Sequence, residues 1–135
     1  QCVVAGVDSL CDGDGQWRVR SHTGDAAAMR DSGRATLDWI EELQALGAGE
    51  IVLNCMGSDG VRGGYDIPQL RAARARCDVP LVASGGAGAV EHFAAVFEGA
   101  DVDGALAASV FHSGAVRIPG LKRALRARGI EVRDD

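Results

Sequence analysis

Two loops of small residues are the first features with chemical consequence. Ser84-Gly85-Gly86-Ala87-Gly88 follows the short apolar run 81–83, and Ala108-Ser109 follows a second such run, 104–107. Small residues leave backbone N–H groups open to close approach by an anion, and the start of a following helix adds a favourable dipole. Two such loops on neighbouring strands could hold one phosphate between them, although glycine also serves plain tight turns. Two acids join this set. Asp8 closes the apolar run 1–8 (QCVVAGVD), and Asp59 sits just beyond a second run, 50–55 (EIVLNC). An acid at the end of an apolar strand is partly desolvated and suited to general acid or base work. An N-cap or loop hydrogen bond stays open as the reading of Asp8, and turn chemistry within Ser58-Asp59-Gly60 as that of Asp59.

The remaining reactive side chains form no constellation. His22 lies near Thr23-Gly24 in a polar loop, His92 sits between Glu91 and Phe93 in a helical run, and His112 follows Phe111. His92 and His112 read as structural. No Ser-His-Asp or Cys-His arrangement is present, and Cys2, Cys11, Cys55 and Cys77 show neither a CxxC pair nor metal-ligand spacing with a histidine. No metal and no cofactor are expected.

The elements that must carry these residues follow from the hydrophobic pattern. Residues 1–8 form a run typical of a strand buried on both faces, the turn signal DGDG occupies 12–15, and 16–21 (QWRVRS) alternates like a short hairpin strand. Residues 23–33 read as a polar surface excursion. A helix is predicted over 34–46, with Trp39, Ile40, Leu43 and Leu46 inward, and a strand over 50–55. The Gly-rich loop 56–66 (MGSDGVRGGYD) is long for a connection, which suggests function. A helix over 67–76 buries Ile67, Leu70, Ala73 and Cys77, and a strand over 81–83 precedes the glycine loop. A helix over 89–98 buries Val90, Phe93 and Phe97, and a strand follows over 104–107. A closing helix over 119–128 has Leu121 and Leu125 inward, continuing a stripe from Ile118.

This is β-α repeated four times, at spacings suited to parallel strands with crossover helices. A closed eight-stranded barrel needs about eight such units. In an open doubly wound fold the phosphate loop usually follows the first strand, whereas in a (βα)8 barrel it follows strands seven and eight. The late loops therefore predict an α/β fold in which the chain is a (βα)4 half of a TIM (βα)8 barrel, parallel strands with outer helices, forming one domain over residues 1–135. The chain opens at Gln1 directly on a strand-like run, so an N-terminal half-barrel is expected ahead of it.

Composition agrees with a packed α/β domain. The 135 residues are 47% hydrophobic but only 4% aromatic, so the core rests on aliphatic side chains. A net charge of −5 argues against a nucleic-acid or membrane-surface partner. The basic run KRALRARG (122–129) reads as the solvated face and last turn of a helix. No apolar run reaches membrane-spanning length, and unpaired thiols without a signal peptide lead us to expect a cytoplasmic protein.

The runs TLDWIEELQALGAGEIVLN, DGVRGGYD, VPLVASGGAG with EHF, and DGALAASVFH resemble the cyclase subunit of imidazole glycerol phosphate synthase, from VVAGVDS at the start to GIEVR near the end. ASGGAG…EHF with ALAASVFH distinguishes that cyclase from its sister isomerase. The resemblance implies strands five to eight of a (βα)8 barrel and a lyase-type cyclisation in histidine biosynthesis. In that reaction ammonia from a glutaminase subunit attacks phosphoribulosyl formimino aminoimidazole carboxamide ribonucleotide, a phosphorylated small molecule. The products are imidazole glycerol phosphate and aminoimidazole carboxamide ribonucleotide. By the same resemblance Asp8 is the strand-five catalytic aspartate and Asp59 a further acid beside the substrate. Gly60, Gly86, Ala108 and Ser109 are phosphate contacts, with Ser84 and Gly85 in the same loop, and Glu50 lies at the ammonia entrance where the glutaminase docks. The chain departs from the family in having Gly57 where many members carry an acid, and in a longer excursion over 25–33. The competing reading is a non-catalytic, phosphate-binding half-barrel that self-associates.

Overall fold

The structure is a computed structural model that describes residues 3–133, so the expectations for Gln1 and Cys2 lie outside the described residues. The chain begins with β1 (Val4–Cys11), β2 (Trp17–Ser21) and β3 (Arg30–Ala35), followed by α1 (Thr36–Ala45). It continues through β4 (Glu50–Cys55), α2 (Ile67–Arg74), β5 (Leu81–Ser84), α3 (Val90–Ala100) and β6 (Gly104–Leu106). It closes with the single turn α4 (Ser109–His112) and α5 (Ile118–Ala127). The strands form one sheet in the order β3-β2-β1-β4-β5-β6, parallel from β1 through β6 and antiparallel in the β1–β2–β3 ribbon. Parallel neighbours cannot be joined by a tight turn, so each connection carries a helix. This is an α/β fold with a parallel-strand sheet, as TIM-barrel families have.

Strand side chains alternate between two unlike faces. Val7, Ile51, Leu53, Cys55, Leu81 and Ala83 are buried against Ile40, Leu70, Ala73, Phe93, Val96, Leu121 and Leu125 of the helices. The opposite face carries Val4, Asp8, Glu50, Val52, Asn54, Val82, Ser84 and Leu106, none of them fully buried, with Val4 55% and Leu106 48% exposed. Behind the sheet, Ser9 and Thr36 share a 2.7 Å hydroxyl hydrogen bond, and Gln69 Nε2 donates to the same Ser9 oxygen. All three are buried, and their mutual bonding offsets the desolvation of each while tying β1 to α1 and α2. At the other end of β5, Asp103 Oδ2 accepts from Leu81 N and Arg74 Nη1, both at 2.8 Å, which fixes where that strand begins.

Four expectations need correction. The run expected over 1–8 is not buried on both faces: in β1 Val7 and Ser9 are buried while Val4 is 55% exposed, because the helices cover one side of the sheet. The excursion 23–33 is not all loop: its last residues join β3, and the helix expected from residue 34 starts at Thr36. The segment Arg30–Ala35 has no apolar alternation, and five of its six residues are exposed. It becomes a strand only because β2 offers it an edge, reinforced by Arg20–Asp31 at 2.9 Å and by Ser32 Oγ donating to Val19 O at 2.8 Å. Leu46 is 73% exposed because α1 ends before it and the chain turns away at Gly47, φ +95°. Ile118 is 51% exposed at the first residue of α5, where the helix has not yet reached the core. Among the described residues no helix is long and apolar enough to cross a membrane.

The loops at residues 56–66 and 84–89 close on each other. Gly64 N donates to Gly86 O at 2.8 Å, and a Cβ on Gly86 (φ +115°) would sit 2.0 Å from Gly64 O. A Cβ on Gly88 would sit 2.2 Å from Arg62 O. Tyr65 leaves the first loop to pack edge-on against Phe93, with ring centroids 5.8 Å apart, and its hydroxyl donates to Leu106 O at 3.0 Å. Burial pushes the Tyr65 phenol well above its ordinary pKa, so it remains a donor.

Gly86→Ala combines a backbone clash with an unfavourable positive φ and should destabilise the chain by about 2–4 kcal/mol in urea denaturation. Gly60 has φ +74° but open space around its Cα. Gly60→Ala should therefore cost only about 1–2 kcal/mol, and equal costs at the two positions would contradict the close loop contact. Thiol chemistry checks the core independently. Burial pushes Cys55 up to about 12 and raises Cys77, whereas Cys11 is exposed. At pH 8 the native chain should alkylate at Cys11 and resist at Cys55 and Cys77 until unfolded, as read by peptide mapping.

Candidate active site

Parallel pairing sets four residues in one row at the C-terminal ends of the strands. Asp8 pairs with Asn54, Asn54 with Ser84, and Ser84 with Leu106. In-register neighbours point to the same side, so this row lies on the face away from the helices. Strands sit about 4.8 Å apart, so the row runs roughly 14 Å from Asp8 to Leu106.

Asp8 is held from two sides. Asn54 Nδ2 donates to Oδ1 at 2.9 Å, and the Thr23 hydroxyl donates to Oδ2. The half-buried carboxylate keeps a fixed orientation at the edge of the row rather than swinging freely. Asn54 is turned toward Asp8 by its amide nitrogen, while its Oδ1 is buried with no hydrogen-bond partner among the described residues. An unpaired buried carbonyl oxygen is an acceptor waiting for a donor.

The middle and far end of the row open into a cleft of about 280 Å³. Asn54, Asp59 and Gly60 line it from the β4 side, Ser84, Gly85 and Gly86 from the end of β5, and Ala108 and Ser109 from the end of β6. Thus Asp59, Gly60, Ser84, Gly85, Gly86, Ala108 and Ser109 meet in one cavity. Asp8 does not line it, but reaches it through Asn54. Glu50 lies at the opposite end of β4, paired with Val4. Residues 50, 52 and 54 share one face, so Glu50 and Asn54 stand on the same side about 13 Å apart.

None of the turn and loop backbone hydrogen bonds uses the N–H of Gly85, Gly86, Ala108 or Ser109. Among the described residues those donors have no partner, and the residues that carry them line the cleft. The helix expected directly after the glycine loop behaves differently. It starts only at Val90, and the N–H groups of Gly88 and Ala89 donate to His92 Nδ1 at 3.0 and 3.3 Å. The two donors just ahead of it are taken by its own histidine, which therefore caps the helix and packs beside Gly64. His22 and His112 are exposed and neither lines the cleft. Among the described residues no group of three His, Cys, Asp or Glu could hold a metal ion.

Sequence reasoning missed Thr23, Asn54 and Arg62. Asn54 could have been found from alternation, since it shares parity with Glu50 in a run that otherwise reads as buried. Thr23 and Arg62 reach the site through loop geometry that no periodicity encodes.

A family model described as "Histidine biosynthesis protein" matches residues 1–117. The chain is 68% identical over 134 residues to the imidazole glycerol phosphate synthase subunit HisF of Xanthomonas euvesicatoria pv. vesicatoria (strain 85-10). It is 69% identical over 134 residues to the protein of the same name from Xylella fastidiosa (strain M12). Each match covers 99% of this chain and 52% of the relative, so the chain spans about half the length of the curated relatives it matches. With its parallel sheet, its strand-end acids and a family match over most of its length, the chain belongs to the histidine biosynthesis protein family.

Proposed function

We propose that this chain is one half of the cyclase subunit of imidazole glycerol phosphate synthase. In this reading β1, β4, β5 and β6 serve as strands five to eight of a (βα)8 barrel, and residues 1–135 form one domain. The observation that carries it is the row Asp8–Asn54–Ser84–Leu106, which joins an oriented carboxylate to a cleft rimmed by free backbone donors. The row lies on an open sheet face with exposed Val4 and Leu106, the face that a barrel would enclose. The relatives, about twice as long and bearing the synthase name, favour the same reading.

The geometry suits acid–base chemistry on a long phosphorylated substrate and needs no cofactor. The cleft takes one phosphate of phosphoribulosyl formimino aminoimidazole carboxamide ribonucleotide on the Gly85–Gly86 and Ala108–Ser109 backbone, with Gly60 and Ser84 beside it. The reacting centre then lies toward Asp8, whose carboxylate takes or returns a proton as ammonia attacks and the ring closes. Thr23 and Asn54 hold that carboxylate in line, and Asp59 stands beside the substrate at the rim. The ribulosyl carbonyl oxygen leaves as water, and imidazole glycerol phosphate and aminoimidazole carboxamide ribonucleotide leave as products. Glu50 marks the far end of the same face, where a glutaminase subunit docks and ammonia enters. Lyase-type cyclisation within histidine biosynthesis is thus the activity we assign to the completed barrel.

The open face also suits a second copy of the chain. Two copies would supply eight parallel strands, but both would bring the Asp8-type acid and neither a first-half counterpart.

The test is complementation in vitro. The 135-residue chain alone should show no ammonia-dependent cyclisation, and should gain it when co-folded with the N-terminal half of the Xylella fastidiosa relative. Turnover by the chain alone would sink the half-barrel reading. A phosphate-binding dimer that never turns over, even beside that half, would favour self-association. In the active pair, Asp8→Asn should lower kcat by about 10²–10⁴-fold with little change in KM, the pattern of a lost acid–base group. Unchanged kcat would remove Asp8 from the chemistry.

A further inference from the structure

Arg62 is the one cation among the residues lining the cleft, and Asp59 is the one anion. A phosphate entering the cleft meets a carboxylate of its own sign, and backbone N–H groups supply donors without a full positive charge. The two N–H groups just ahead of α3 are spent elsewhere, since His92 Nδ1 accepts from Gly88 and Ala89. Charge balance at this site therefore falls to the Arg62 guanidinium.

The backbone of Arg62 is fixed while its side chain is uncommitted. Its φ of +58° is left-handed, a conformation few non-glycine residues hold unless their surroundings impose it. The surroundings are visible. Gly88 lacks a side chain where the Arg62 carbonyl presses in, and two residues on Gly64 N is bonded to Gly86 O. The two loops thus meet at the Arg62 carbonyl and again two residues later. Arg20, Arg74 and Arg76 spend their guanidinium groups on carboxylates, whereas the Arg62 side chain has no ion pair or hydrogen bond among the described residues.

We propose that Arg62 is a specificity-determining residue of the cleft, supplying the charge that selects a dianionic phosphate group over uncharged or weakly charged ligands. This rests on the phosphate reading of the cleft given above and names the side chain that reading lacked. A planar guanidinium matches two phosphate oxygens at once, and Arg62 lines the same cleft as Ala108 and Ser109. The close approach of Gly88 to the Arg62 carbonyl and Cβ fixes the backbone from which this side chain departs.

The test uses the 135-residue chain with inorganic phosphate as the probe, titrated by ³¹P NMR at two ionic strengths, with urea midpoints recorded for every variant. Arg62→Asn removes the charge but tolerates the left-handed backbone, so the loop should stay in place. It should weaken phosphate binding by about tenfold and flatten the salt dependence, with the urea midpoint unchanged. Arg62→Lys keeps the charge and should stay within about threefold of wild type. If wild type binds phosphate and Arg62→Asn binds it equally well, the assignment of Arg62 is overturned while the cleft reading stands. If wild type binds no phosphate, the cleft reading fails and the Arg62 assignment with it. Lost binding accompanied by a lowered urea midpoint would make Arg62 a structural residue and overturn the proposal.

Discussion

Between β1 and β4, six residue pairs run in register from Val4–Glu50 to Ser9–Cys55, and the site depends on that alignment. A slip of one residue would turn Asp8 into the helix layer and bring Ser9 out to the open face. Two things prevent it. Val7, Leu53 and Ala83 must stay under the helices, and Ser9 must reach both Thr36 and Gln69 to avoid a buried unpaired hydroxyl. The buried trio behind the sheet thus decides which way the acid in front of it points.

The second constraint is the closeness of the loops above β4 and β5. The glycines at 85, 86 and 88 were expected as bare backbone for an anion, and they are also the condition for one loop to touch the other. Their two roles reinforce each other. Contact between the loops holds Arg62 and Asp59 over the cleft, and the same missing side chains leave the N–H groups of Gly85 and Gly86 open to it. A flexible glycine loop would lose entropy on binding, whereas one fastened at Gly64 and Arg62 has already been ordered by folding.

The parallel sheet has a packed face and an open one, and the candidate site residues of its strands share the open face. Asp8, Asn54, Ser84 and Glu50 are spread over that surface from the cleft to the far end of β4, while Val4 and Leu106 leave apolar area among them. This distribution is what one expects of a wall whose inner side meets other strands, and it agrees with relatives about twice the length of the chain.

Much of this was legible in the amino-acid order. Apolar runs ending in Asp8, Cys55, Ala83 and Ala107 locate the parallel strands because a sheet packed under helices favours β-branched and aliphatic residues. Small residues after two of those runs mark the loops, because only they allow close backbone approach. The sequence by itself determined the succession of the four parallel strands along the chain, the helical stripes through Ile40, Leu70, Phe93 and Leu121, and the residue types of the site. Tertiary structure alone decided that the polar segment Arg30–Ala35 would be a strand, since its ladder bonds come from β2 and not from any pattern of its own. It alone brought Thr23 and Asn54 onto Asp8, turned Leu46 and Ile118 to solvent, and set Arg62 over the cleft. Those outcomes depend on contacts between segments distant in the chain, and local periodicity carries no term for them.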